Sequence, residues 1–111
     1  MVTCQTDTII VDGVRISVKK KKKEVAWAYL YILRSDRHKK SIGYLEDLFI
    51  DEMHRNKEIE AQILRAVTLE ARKRRCYKVT ATSRHDREPV HALYKRSGFV
   101  NHGIEFRMDL V

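Results

Sequence analysis

Apolar and polar positions divide the chain into a β-rich first part, one long helical stripe, and a strand–helix–strand finish. Thr8-Ile9-Ile10-Val11 is a β-branched run. Asp12-Gly13 follows, then Val14-Arg15-Ile16-Ser17-Val18, in which Val14, Ile16 and Val18 share one face. An Asp-Gly pair between two such runs predicts a hairpin, because its turn needs positive φ. After an unbroken lysine run at 19–23, Val25-Ala26-Trp27-Ala28-Tyr29-Leu30-Tyr31-Ile32-Leu33 is apolar on both faces. That pattern predicts a central strand covered on both sides. Residues 34–41 are a polar connection, and 42–50 form a further strand interrupted by Glu46 and Asp47.

The period then changes. Ile59, Ile63, Ala66, Val67 and Ala71 repeat at three- and four-residue spacing, with Leu64 widening the stripe. Asn56 is a good N-cap type, and 72–75 place cations at the helix end, where the dipole favours them. Cys76-Tyr77-Lys78-Val79-Thr80-Ala81-Thr82 predicts a strand. Pro89 suits a helix start, 90–97 a short helix, and Gly98 its stop. Residues 104–110 read as extended chain and a final strand. The order predicts a mixed α/β (α+β) sheet with helices packed on it.

Composition sharpens this in three ways. The 111 residues, 43% of them hydrophobic, are enough for a single domain over 1–111. The 23 basic and 15 acidic residues leave a formal charge of +8. This fits either anionic partners or a solvated basic surface. The lysine run reads as a hairpin tip, with phosphate or RNA binding as the alternative. Cys4 and Cys76 are too far apart for a disulfide framework or metal spacing, and the histidines form no ligand pattern, so no metal is expected. No signal pattern opens the chain, and no apolar run approaches the ~20 residues a membrane span needs. The expectation is a cytoplasmic protein without membrane partners.

Three segments together resemble the GNAT acyl-CoA N-acyltransferase superfamily. Gly43-Tyr44-Leu45-Glu46-Asp47-Leu48-Phe49-Ile50 is similar to its central strand. Arg55-Asn56-Lys57-Glu58-Ile59-Glu60 lies where the family has R/Q-x-x-G-x-G/A. Arg87-Glu88-Pro89-Val90-His91-Ala92-Leu93-Tyr94-Lys95-Arg96-Ser97-Gly98-Phe99 is similar to its late helix. The resemblance implies a mostly antiparallel central sheet flanked by two helices, here without the family's N-terminal helices. It implies an N-acetyltransferase that uses acetyl-CoA as cosubstrate, with direct attack by the amine of a small-molecule or peptide acceptor. Acetyl-CoA would lie along Leu48, Phe49 and Ile50, with its pyrophosphate at Arg55, Asn56, Lys57, Glu58, Ile59 and Glu60. A helix amino terminus attracts anions through free N–H groups and its dipole. This chain departs from the pattern by placing Glu58 and Glu60 where glycines would let phosphate approach.

Tyr94 matches the family tyrosine that protonates the departing thiolate; by residue type alone it also reads as a core tyrosine. Glu46, mid-strand in an otherwise apolar run, is the candidate base for the amine proton, or a structural carboxylate. Arg84 and Arg87 are candidates for the adenylate end or an anionic acceptor. The alternative to an enzyme is a GNAT-fold binding module using its basic surface for nucleic acid or a protein. An exposed sheet edge near the chain end favours a homodimer.

Overall fold

The computed structural model describes residues 1–34, 39–54 and 57–111. Four strands form one sheet in the order β1-β2-β3-β4. They are β1 (Asp12–Lys20), β2 (Lys23–Leu33), β3 (Ser41–Ile50) and β4 (Cys76–Ala81). β1–β2 and β2–β3 are antiparallel, and β3–β4 is parallel. Helix α1 (Lys57–Lys73) makes the crossover between the parallel strands, and α2 (Glu88–Arg96) follows β4. This is the mixed, mostly antiparallel sheet with two helices that the sequence predicts.

The core lies between the sheet and α1. Ile59, Ile63, Leu64, Val67 and Ala71 are buried on α1, against Ala26, Ala28, Leu30 and Ile32 of β2 and Leu45 of β3. Burying each large aliphatic side chain there contributes about 1.5–3 kcal/mol. The lysine run is the β1–β2 hairpin tip, as expected. Lys21 and Lys22 have φ of 50° and 69°, the sign a two-residue type I′ turn needs.

Three expectations fail, each for a physical reason. The Asp12-Gly13 turn does not form; both residues lie inside β1, opposite Ile32 and Tyr31. The Tyr31 ring lies 3.4 Å from where a Gly13 Cβ would stand, and Asp12 pairs with Arg34 at 3.1 Å. A cross-strand aromatic thus uses the missing side chain that looked like turn chemistry, and 8–11 are outside the sheet. The second face of β2 is not covered: Trp27 and Tyr29 are half-buried and Tyr31 is 37% exposed. Those rings pack sideways instead. Trp27 stacks on Phe49 with centroids 4.3 Å apart, and Arg15 lies over Trp27 and Tyr29. Finally, 104–110 form no strand: among the described residues the sheet consists of β1 to β4, and this segment is not paired with any of them.

Candidate active site

The site is organised by a change in how β3 is paired. Its ladder with β4 runs from Ser41↔Cys76 to Leu45↔Ala81 and goes no further. Beyond that point β3 continues to Ile50 beside β2 alone. A bulge marks the same place: Tyr29 faces Glu46 and Trp27 faces Phe49, so Ala28 opposes both Asp47 and Leu48. Asp47 takes φ of 51° to accommodate it. The bulge turns β3 away from β4, as bulges beside active sites commonly do.

A cleft of about 600 Å³ opens where the strands part. Residues 45–50 form one wall, Thr82, Ser83, Arg84 and Arg87 another, and Val90, Leu93 and Tyr94 of α2 the third. Glu60, Glu105 and Arg107 reach its border. The structure therefore brings Glu46, Leu48, Phe49, Ile50, Glu60 and Tyr94 to one place, together with Arg84 and Arg87. Lys57 and Glu58 are exposed in the first turn of α1. The Ile59 side chain is buried in the core and takes no part in lining the cleft. Arg55 and Asn56 lie outside the described residues.

Tyr94 is placed by the way α2 ends. Phe99 N–H donates to Tyr94 C=O at 2.9 Å, and Gly98 N–H to Lys95 C=O at 3.1 Å. Gly98 has φ of 99°, which completes a Schellman cap. The rings of Phe99 and Tyr94 meet at 5.1 Å, the apolar contact that accompanies this cap. Leu93 anchors the helix in the core. Burial first, and the negative charge of Glu46 second, raise the Tyr94 pKa above its ordinary value. The phenol is therefore held protonated.

Glu46 is half-buried on the open side of the sheet, with Tyr44 two residues before it. Thr82 lowers the Tyr44 pKa, whereas Glu46, burial and the charge of Glu105 outweigh it, and the net shift is upward. Tyr44 on β3 and Thr82 just past β4 thus stand near one another where the strands begin to part. The sequence reading passed over both, although Tyr44 stands at the two-residue spacing that puts it on the face of Glu46. His91 and His85 do not converge on this group. His91 Nε2 lies 2.8 Å from the Arg84 carbonyl and holds the loop before α2, and His85 is exposed.

The two acidic residues at the helix start differ. Glu60 accepts a 2.9 Å hydrogen bond from Arg96 Nη2 on α2, so a cation meets its charge at the cleft border. Glu58 is exposed and is not among the cleft residues.

Comparison with known proteins bears on this arrangement. Residues 6–99 match the model of the Acetyltransferase (GNAT) family. The fold is shared with an acetyltransferase structure from Agrobacterium tumefaciens, at TM-score 0.81 and 24% identity over 87% of this chain and 68% of that one. An aminoglycoside acetyltransferase from an uncultured soil sample, in complex with trehalose, matches at TM-score 0.81 and 15% identity, over 89% and 66%. The glucosamine-6-phosphate N-acetyltransferase of Arabidopsis thaliana matches at 0.77 and 19%, over 90% and 68%. The chain spans about two thirds of the length of these structures. No curated protein matches it. Among the described residues, no helix is long and apolar enough to cross a membrane.

Proposed function

The chain belongs to the GNAT acetyltransferase family, and from that premise we propose that it is an acetyl-CoA-dependent N-acetyltransferase acting on an amine. The observation that carries this reading is the protonated Tyr94 phenol lining the cleft that opens where β3 leaves β4.

The residues present fit acetyl-CoA. The cleft is walled by a strand segment without a β4 partner, which suits an extended amide-bearing arm. Glu60, at a position where phosphate would meet negative charge, is countered by Arg96. Lys57 stands exposed at the start of α1. Leu48, Phe49 and Ile50 would hold the arm. Lys57 and the first-turn backbone would hold the phosphates, as would Arg55 and Asn56 by position in the sequence. When bound, acetyl-CoA supplies an activated acetyl thioester.

The chain's own residues supply the proton transfers. Glu46 would accept the proton the amine loses as its nitrogen–carbon bond forms. Tyr94 keeps a proton at its phenol oxygen for the sulfur that leaves as the carbon–sulfur bond breaks. Neither cysteine belongs to the cleft, so direct transfer is favoured over an acyl-enzyme. The open face carrying Trp27, Tyr29, Tyr31 and Phe49 borders Glu46 and would receive a small-molecule or peptide acceptor. Cys4 and Cys76 are free thiols, which suits a reducing, cytoplasmic setting. The position of β4 at the end of the sheet suits a homodimer.

A second reading has one specific observation behind it. The lysine tip at 19–23 ends the hairpin that also carries Trp27, whose ring stacks on Phe49, a combination that suits single-stranded nucleic acid. Both readings meet in one experiment. Protein, acetyl-CoA and a panel of primary amines are incubated, and free CoA thiol is measured against protein-free controls. Amine-dependent thiol release is expected. If no amine produces it while a labelled oligonucleotide binds with strong salt dependence, the enzyme reading is lost to the second.

A further inference from the structure

Three planar groups stand in a row across the open face of the sheet. Arg15, Trp27 and Phe49 come from β1, β2 and β3 in turn. The Arg15 guanidinium carbon lies 5.4 Å from the Trp27 ring centre, and Trp27 stacks on Phe49 with planes 21° apart. One end of the row is closed. Arg15 donates two hydrogen bonds to Glu24, at 2.8 and 2.9 Å, and one to the Tyr29 hydroxyl at 3.3 Å. The other end is open. Trp27 covers one face of the Phe49 ring, yet Phe49 is 41% exposed and borders the cleft. The row therefore ends in an aromatic face at the cleft.

Glu46 stands beside that end. Trp27 faces Phe49 and Tyr29 faces Glu46, so the two positions are separated by two β2 residues, or about 7 Å. Among the described residues, no ion pair includes Glu46. These features select among amines. An amine with a second cation would meet the fixed Arg15 guanidinium, which already fills the cation seat over Trp27. A polyhydroxylated amine needs hydrogen-bond partners, and Arg15 already engages the Tyr29 hydroxyl and both Glu24 oxygens. A flat apolar ring needs neither and gains by offset stacking on Phe49. Its nitrogen would reach Glu46 through a spacer of about two or three carbons, which bridges the ~7 Å between the positions.

We propose that the exposed face of Phe49 is the acceptor's seat, and that the acceptor is an arylalkyl primary amine whose ring extends the Arg15–Trp27–Phe49 row. This rests on the acetyltransferase reading and adds the substrate class to it. The amine arrives as an ammonium, drawn by the Glu46 charge, and releases one proton to solvent. The neutral nitrogen then bonds the acetyl carbon and passes a proton to Glu46. The carbon–sulfur bond breaks, and Tyr94 protonates the sulfur. Solvent carries the Glu46 proton back to the phenolate.

Trp27 is the single tryptophan and lies one ring from the seat, so its fluorescence reports occupancy without turnover. The full chain is titrated with phenethylamine and with cyclohexylethylamine, which has the same spacer and a saturated ring. Cadaverine and glucosamine stand for the cationic and hydroxylated amines. Thiol release from acetyl-CoA is then followed with all of them. A saturable change in Trp27 fluorescence is expected with phenethylamine, at roughly two- to tenfold lower concentration than with its saturated analogue. The kcat/KM values should rank the same way, with cadaverine and glucosamine last. Phe49→Leu keeps the apolar bulk, and the ratio of phenyl to cyclohexyl amine should fall toward unity; thermal melting checks that the variant is folded. Equal kcat/KM for the two ring amines, a preference for cadaverine or glucosamine, or a phenyl preference that survives Phe49→Leu would overturn the proposal with acetyl transfer intact. Ring-dependent binding without thiol release would instead support the seat and count against acetyl transfer, so the two readings can fail separately.

Discussion

The two helices do different work, and the contrast locates the chemistry. α1 has 17 residues and buries five side chains against the sheet. α2 has nine and buries Leu93 alone. α1 is scaffold, held by many contacts of which each is replaceable in kind. Among the described residues, α2 is held by buried Leu93, by half-buried Tyr94 against the core, by a glycine-dependent cap, by His91 on the Arg84 carbonyl and by an ion pair to α1. It is the lightly anchored helix that carries Tyr94. Stability resides where contacts are numerous, and the candidate acid resides where a few contacts set one geometry.

Substitutions can break this division of labour. The largest effect is expected at Tyr94. Tyr94→Phe should lower kcat roughly a hundredfold or more, while the melting temperature moves little. A variant with full activity would remove the phenol from the mechanism. The pH profile of the wild type sharpens the same point. The Tyr94 pKa is raised, by burial and then by Glu46, so the phenol stays protonated at least up to its ordinary value of about 10. No loss of kcat from this group is expected below that pH. A basic limb near neutrality that vanishes in Tyr94→Phe would contradict the assignment.

α1 should answer in the opposite currency. Ile63 is fully buried, and Ile63→Ala should cost about 2–5 kcal/mol of stability, read by denaturant unfolding. The kcat of the fraction that stays folded should be retained. Gly98→Ala lies between the two. It forces a side chain into φ of 99° and should cost roughly 1–2 kcal/mol. Because that residue completes the cap next to Tyr94, kcat should fall as well. A loss of stability with unchanged kcat would show that the cap does not position the phenol.

The smallest effect tests the link between the helices. Arg96→Ala leaves Glu60 without its 2.9 Å partner at the cleft border. It should weaken acetyl-CoA binding by less than about tenfold, the scale of a partly exposed pair. Glu60→Gln added to it should recover the affinity, and no recovery would show that the Glu60 charge does not bear on the ligand.

The same contrast explains what the sequence made legible. The α1 stripe was readable because five buried positions repeat at one period. Gly98 as a helix stop and the lysine tip were readable because local backbone geometry demanded them. What escaped notice depends on residues distant in the chain. Gly13 resembled a turn until the Tyr31 ring, on the neighbouring strand, was seen to occupy its space. The open face of β2 carried a buried strand's composition, because aromatic rings stacked in the plane of a sheet look like rings covered by a layer. Glu60 as an obstacle to phosphate could not be judged without Arg96, 36 residues later. Glu46 was readable as a carboxylate in an otherwise apolar run and Tyr94 through the resemblance, whereas Tyr44 and Thr82 became visible only where the strands part.

The cleft between β3 and β4 is the proposed site for acetyl-CoA, and a thermal-shift titration tests it most directly. A ligand that binds only the folded state stabilises it by about 2.7 kcal/mol at one hundred times its dissociation constant. For a chain of this size that is a rise on the order of 10 °C in Tm. Tm is expected to keep rising with acetyl-CoA concentration, and the rise to shrink in Arg96→Ala. An unchanged Tm at millimolar acetyl-CoA would contradict it.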